Sequence, residues 1–329
     1  MSIIIGGSPS TGSSLLRRML NRHSQIFCGS ETSILSKVPL YNNWNRDKMS
    51  LFRSGYNGLV NAGWHHYRGY DLEDDYGVNE SELKHIVKQA SSFAEFISNW
   101  TTLVLTRSGK NIFSEKTPSN AHTLSLYLDH ISDSFAVHIT RHPLDCIASL
   151  VNRGMDYYNA ISVYLLNTSA ALEIKNHKNA RLLKYENLSQ NPENTLTVLL
   201  QSVGLDYEST MLIPDAKPTG VTQMQGWNYD ESATVSSGSI GRFLKLDKNA
   251  QELILTGIDV LHSNVYSIGN IRNVSEVLEY EIPQVSHSTS PSKKHIAFYK
   301  KSMAIDKWRR LYRQSYYKKR NYPISIISS

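Results

Sequence analysis

The sequence predicts an α/β fold of the P-loop type, in three layers, with a central parallel sheet and helices on both faces. Three observations lead there. Short apolar runs alternate with amphipathic runs as far as Gly204. The first apolar run enters a Gly/Ser/Pro turn that leads straight into a helical pattern. With 40% apolar and 10% aromatic residues in a chain of 329, there is side-chain volume for one or two sizeable cores.

Taken in order, Ser2–Ile5 is a short apolar strand, and Ser13–Arg22 carries Leu15, Leu16, Met19 and Leu20 at helical spacing. Glu80–Trp100 predicts one helix, with Leu83, Ile86, Val87, Ala90, Phe93 and Ile97 along a single face. Asn111–Ser114 predicts a strand and Asn120–Asp129 a short helix. Phe135–Thr140 is the clearest buried strand. Pro143 stands where a helix tolerates a missing N–H, ahead of Leu144–Asn152. Tyr158–Lys175 is expected to be helical, Arg181–Tyr185 a strand, and Pro192–Val203 a helix stopped by Gly204. Gly220–Ser239 reads as a long loop and Lys248–His262 as the last helix of the body. Residues 286–292 have linker composition, dividing a body over 1–282 from a linker and a basic, aromatic-rich tail over 283–329.

Charge is unevenly spread. Eleven Lys or Arg lie between Lys293 and Arg320 against the single acid Asp306, so the net +6 belongs to the tail and the rest is slightly acidic. Phe298, Tyr299, Trp308, Tyr312, Tyr316 and Tyr317 are interleaved with these cations. Such a tail suits an anionic membrane surface or an acidic polymer, and equally a solvated segment. No recognised module points to nucleic acid, so none is expected as a partner. Two cysteines, Cys28 and Cys146, make no disulfide framework. No apolar run reaches the roughly 18 residues of a spanning helix, and Met1–Gly7 lacks the basic flank of a signal peptide. A cytoplasmic protein, peripheral to the membrane at most, is the expectation.

The turn Gly7-Ser8-Pro9-Ser10-Thr11-Gly12-Ser13-Ser14 is built of small residues before a helix, where backbone N–H groups and the helix dipole converge on an anion. Gly7, Gly12 and Ser14 fit the nucleotide P-loop spacing, but Ser13 stands where that motif needs lysine. Ordinary ATP or GTP hydrolysis is therefore poorly supported, and a kinase is the lesser alternative. Arg141 follows a buried strand, Ser149 comes eight residues later and Arg153 four after that, so Ser149 and Arg153 share a helical face. Two guanidiniums and a hydroxyl suit a dianionic phosphate.

The run Gly7–Leu15 resembles the 5′-phosphosulfate loop of sulfotransferases that use 3′-phosphoadenosine 5′-phosphosulfate (PAPS), G-x-P-[RK]-S-G-T-T-L. Residues Arg17–Thr32 look closest to the tyrosylprotein sulfotransferase branch and its bacterial relatives. The resemblance implies that Ser10, Thr11, Gly12, Ser13 and Ser14 hold the phosphosulfate and that Arg141, Ser149 and Arg153 hold the 3′-phosphate. Ser10 replaces the family's loop cation, with Arg17 and Lys116 the nearest substitutes; that loss also motivates the alternative of a non-catalytic relative that binds PAPS or its product. Leu183–Leu188 is similar to the family's R-Y-E-D-L motif, implying that Tyr185 approaches the nucleotide. Ser239–Phe243 is similar to the segment that closes over adenosine, implying a binding role for Arg242.

By the same resemblance Glu31, in Cys28-Gly29-Ser30-Glu31-Thr32, is the general base, and Lys116, beyond the Ile112-Phe113 strand, stabilises the leaving oxygen. The sulfuryl group would pass in line from PAPS to an acceptor hydroxyl on a glycan, a small molecule or a tyrosine. No clustered His/Cys/Asp set appears in the sequence, so no metal is expected. The branch's disulfide partner for Cys28 is matched by Ser114, so that bridge is not expected. Its membrane anchor is not seen either, and both points favour a bacterial-type enzyme. Between Tyr41 and Tyr76, Trp44, Phe52, Tyr56, Trp64, His65, His66, Tyr67 and Tyr70 suit either acceptor stacking or core packing, with packing slightly preferred.

Overall fold

A computed structural model describes residues 1–52, 66–67, 70–214, 238–283, 292–312 and 324–326. The principal elements are β1 (Ser2–Gly7), α1 (Ser13–Asn21), β2 (Ile26–Gly29), α2 (Glu80–Gln89), α3 (Phe93–Ser108), β3 (Ile112–Lys116), α4 (Leu124–His130), β4 (Ser134–Thr140), α5 (Pro143–Asn152), α6 (Tyr157–Ala171), β5 (Ala180–Lys184), α7 (Tyr185–Gln190), α8 (Pro192–Gln201), α9 (Lys248–Val260), α10 (Ile271–Val277) and α11 (Lys293–Tyr312). They fall into two compact units. The first comprises the described residues of Met1–Gly7, Gly12–Thr140 and Ala171–Ser236, the second those of Ser8–Thr11, Arg141–Ala170 and Ser237–Ser329.

In the first unit all five principal strands are parallel, in the order β2-β3-β1-β4-β5. Parallel strands need crossover connections, which is why the sequence alternates as it does. β1 is central, with Ile5 beside Lys116 on one side and Val137 on the other. The carboxyl ends of such strands are where open α/β sheets bind ligands. Gly7, Gly29 and Lys116 all lie there.

The helix expected over Glu80–Trp100 is two helices. Ala90 is extended, and Ser92 caps α3 by accepting the Glu95 N–H at 3.1 Å. A capping hydroxyl satisfies an orphan donor and stops the preceding helix from running through. The continuous apolar face hid this, because α2 and α3 bury their stripes in the same core. Trp100 stacks on Tyr76 (centroids 5.4 Å apart) and Phe96 (5.8 Å), and meets Phe113 edge-on at 5.1 Å. Trp44 is buried and its indole N–H donates to the Ala90 carbonyl at 2.8 Å. Tyr41, Trp44 and Tyr76 thus serve the core, with Phe52 half-buried against it. Tyr56, Trp64 and His65, and the side chains of His66, Tyr67 and Tyr70, lie outside the described residues, as do 220–237 of the long loop and 286–291 of the linker.

Three further boundaries differ from expectation. β3 runs on to Lys116, so that lysine ends the strand instead of lying beyond it. Tyr185 opens α7 and does not close β5. The stretch over Asn120–Asp129 divides into a 3-10 turn at Pro118–His122 and α4.

In the second unit α9 packs against α11. A Cβ on Gly257 would overlap Ile161 of α6 and Tyr299 of α11, so glycine is what permits the close approach there. Tyr299 is fully buried and donates its hydroxyl to Leu253 O at 2.8 Å. The described part of the basic tail is therefore an integral helix, with Lys293, Lys294, Lys300, Lys301 and Lys307 exposed. α9 stops at Val260 because Leu261–Ser263 pairs antiparallel with Ile324–Ile326.

Candidate active site and anion-binding group

The residues singled out by the sequence gather into two groups, one in each unit. In the first unit β1 delivers the chain to Gly12, whose φ of 87° starts α1 with no side chain capping it. A left-handed residue there favours glycine, and a Cβ would also overlap the ring of Tyr185. Tyr185 is thus buried against the turn. Ser13 and Ser14 form the first turn of α1. Lys116, wholly buried at the end of β3, donates to Ser14 Oγ at 3.3 Å and to Glu31 Oε1. Glu31 is itself buried, on the segment that leaves β2. Removing two charges from water is costly, and pairing with a hydrogen bond offsets much of it.

Of the two cations named as substitutes for the loop's missing one, Lys116 reaches the start of α1 through Ser14. Arg17 is buried lower on α1, where its charge acts on Cys28 and Tyr76. Cys28 sits across from Ser114 in the sheet, with Sγ donating to Ser114 Oγ at 3.3 Å, and burial pushes its thiol up to about 11.

In the second unit Ser8–Thr11 is folded on itself by Thr11 Oγ1 donating to Ser8 O at 2.7 Å. Ser10 takes a φ of 72°, and its hydroxyl oxygen is enclosed without a hydrogen bond. Arg141 donates from Nη1 to Ser10 O at 2.9 Å and from Nη2 to Ser239 O. Arg242 donates to Ser149 Oγ and to Ser239 Oγ, both at 2.9 Å. Arg153 closes the C-terminus of α5; burial, and then the like charge of Arg242, hold its guanidinium below the ordinary value. Arg242 and Arg141 therefore both stand within electrostatic reach of Arg153, and Arg242 binds the Ser149 hydroxyl.

Sequence reasoning missed two buried carboxylates. Asp145 accepts the Gly241 N–H at 2.7 Å and the Phe243 N–H at 2.9 Å, and so places Arg242 between them in the chain. Its position in the first turn of α5 disguised it as an ordinary helix-start acid. Glu115, beside Lys116 on β3, accepts four hydrogen bonds, two of them from Thr32. The only available signal was a carboxylate inside a strand that should be buried.

The sequence profile of the Sulfotransferase family matches residues 2–209. Protein-tyrosine sulfotransferase 2 of Gallus gallus is 25% identical over 232 residues, which cover 67% of this chain and 56% of that protein. The chain thus spans little more than half the length of this curated relative. Two solved structures share the fold. One is the sulfotransferase domain of the Synechococcus PCC 7002 olefin synthase (TM-score 0.53, 19% identity, 86% of this chain and 95% of that one). The other is the sulfotransferase domain of the curacin biosynthetic pathway (TM-score 0.54, 18% identity, 86% and 98%). The matched stretch takes in the whole five-stranded parallel sheet, the α1 turn, Glu31, Lys116 and α5 with Arg141 and Arg153 at its two ends, and the chain belongs to the Sulfotransferase family.

Proposed function

We propose that the protein transfers the sulfuryl group of PAPS to an acceptor hydroxyl. The observation that carries this reading is Lys116, which binds both the Glu31 carboxylate and the Ser14 hydroxyl at the start of an uncapped helix. One ammonium thus joins a proton acceptor to a turn of the kind that receives anions. The residues fit the donor's charges: backbone N–H groups and Lys116 for the phosphosulfate, and Arg141, Ser149, Arg153 and Arg242 for the 3′-phosphate. Ser10 and Thr11 shape the loop, and Tyr185 braces Gly12.

In the reaction the acceptor oxygen bonds to sulfur while the bond from sulfur to the bridging phosphate oxygen breaks. The electron pair leaves with adenosine 3′,5′-bisphosphate, and the acceptor proton passes to Glu31. Negative charge grows on the bridging oxygen, where Lys116 stabilises it without waiting for water to reorganise. As Lys116 turns from Glu31 toward that oxygen, the carboxylate becomes a stronger base. A glycan, a small molecule or a peptide tyrosine are the acceptor classes in view.

The chain's location follows the same line. Among the described residues no helix is long and apolar enough to cross a membrane. α11 turns five lysines together with Trp308 and Ile305 outward while Tyr299 is buried. Cations beside an interfacial tryptophan suit the anionic leaflet, so we place the protein in the cytoplasm, peripheral to the membrane. Loss of vesicle binding on replacing these lysines would support that placement, and unchanged binding would remove it.

Labelled PAPS offered with sugars, phenols, lipids and tyrosine peptides tests the activity. Transfer to one class, abolished in Glu31→Gln, is the expected result. Tight binding of the bisphosphate with no transfer to any acceptor would favour a non-catalytic relative, and turnover of ATP a kinase.

A further inference from the structure

Glu115 has no place in the reaction just described, yet it is fully buried and its two oxygens accept four hydrogen bonds. Oε1 receives the Thr32 N–H at 2.9 Å, the Thr32 hydroxyl at 2.9 Å and the Thr117 hydroxyl at 2.6 Å. Oε2 receives the Asn120 amide at 2.6 Å, and the same amide reaches Ile5 O of the central strand at 3.1 Å. Thr32 immediately follows Glu31, and Thr117 immediately follows Lys116. Thr117 also accepts the Ser33 N–H at 3.1 Å. A single carboxylate therefore ties together the segments that carry the two reactive side chains, and anchors both to β1.

A carboxylate removed from water is expensive unless its lone pairs are filled. Burial pushes the Glu115 carboxyl up, and the hydrogen bonds from Thr117, Thr32 and Asn120 oppose that. An apolar side chain in its place could fill the space, but it could not bind the Thr32 backbone. What the carboxylate adds is a fixed position for the middle of one short segment, Ser30–Ser33, whose start is tied by the Ser30 N–H to Asp75 at 2.5 Å and by the Tyr76 hydroxyl to Ser30 O at 2.6 Å.

We propose that Glu115 is a positioning residue for sulfuryl transfer, clamping Thr32 so that the adjacent Glu31 carboxylate is held on Lys116. The proposal rests on the transfer reading above, and its test is arranged to separate the two. Misplacing a reacting group by about 1 Å costs on the order of a hundredfold in rate, while binding of the donor need not change.

The test compares Glu115→Gln and Thr32→Val with wild type by amide hydrogen exchange, steady-state kinetics and bisphosphate titration. Glu115→Gln is expected to speed exchange at Thr32 and Ser33 by about tenfold or more, leaving β1 amides unchanged. It is expected to lower kcat by roughly twentyfold or more, with KM for PAPS and bisphosphate affinity within about twofold. Thr32→Val, which removes the hydroxyl's bond to Glu115 and the Ile34 N–H bond that the hydroxyl accepts but keeps the Thr32 N–H bond, should fall between Glu115→Gln and wild type, and it carries the test if the amide variant does not fold. Exchange that rises evenly over the whole sheet, with kcat and bisphosphate affinity falling together, would show a merely structural group and overturn the proposal. Unchanged exchange at Thr32 would do the same. If wild type transfers sulfate to nothing, the parent reading fails, and the exchange at Thr32 and Ser33 alone then decides whether the clamp exists.

Discussion

The two groups of polar residues are built on opposite electrostatic plans. In the first unit a cation and an anion neutralise each other: Lys116 and Glu31 are both buried and share a hydrogen bond. In the second, Arg141, Arg153 and Arg242 gather like charges, and their hydrogen bonds include neutral oxygens of Ser10, Ser149 and Ser239. A neutral pair binds no ion strongly but shifts a proton readily once one partner is drawn away. A like-charged cluster resists assembly until an anion arrives. On the proposed reading, the difference gives chemistry to the first group and affinity to the second.

That division can be broken most severely at the pair. Glu31→Gln keeps the shape and the hydrogen bond to Lys116 but removes the base. Transfer should drop by about a hundredfold or more, the usual loss for general-base catalysis. Lys116→Met should cost a similar factor through the leaving oxygen, about a hundredfold to a thousandfold in kcat. Both are read by single-turnover transfer from labelled PAPS. A Glu31 variant that transfers normally would end the division.

At the arginines the expected effect is smaller and of another kind. Arg242→Ala should erase most of the preference for adenosine 3′,5′-bisphosphate over adenosine 5′-phosphate, a loss of about tenfold or more for one charge-assisted contact. Isothermal titration with the two nucleotides measures it. Raising the salt concentration should weaken the bisphosphate more than the monophosphate.

The smallest effect at neutral pH belongs to a group outside both sets, and it sharpens the contrast by showing burial without a hydrogen-bond partner. His138 lies in β4, wholly buried, neither ring nitrogen has a hydrogen bond, and burial lowers its pKa to about 3. Below its ordinary value near 6.5 the unfolded chain takes up a proton that the folded chain refuses. Stability from this group is therefore full above about pH 6.5 and is lost as the pH falls toward about 3. His138→Leu should flatten that acid-side loss by up to about 1.4 kcal/mol per pH unit and leave stability at neutral pH no lower. Urea unfolding at a series of pH values reads the slope.

Much of the fold was legible because alternation forces a parallel sheet, and Pro143 and Gly204 mark helix ends by their own backbone chemistry. The break between α2 and α3 was also written, as Ser91-Ser92 followed by Glu95, but a continuous apolar face masked it. The sequence singles out residues of both polar groups by two routes: spacing places Ser149 and Arg153 on one helical face, while Glu31, Lys116 and Arg242 rest on the resemblance to sulfotransferases. It could not show that Lys116 reaches Ser14 or that Arg242 holds Ser149, because those contacts join segments 102 and 93 residues apart. Glu115 and Asp145 escaped for the same reason: each binds backbone N–H groups of a remote loop, and no spacing rule encodes that. The lysines of α11 drew attention from Tyr299, which anchors the helix.

The most direct test of the division between chemistry and affinity is a pair of dissociation constants for adenosine 3′,5′-bisphosphate. Glu31→Gln should bind it within about twofold of wild type, and Arg153→Ala should bind it about tenfold more weakly or worse. Equal affinities in the two variants, or a loss confined to Glu31→Gln, would contradict the account.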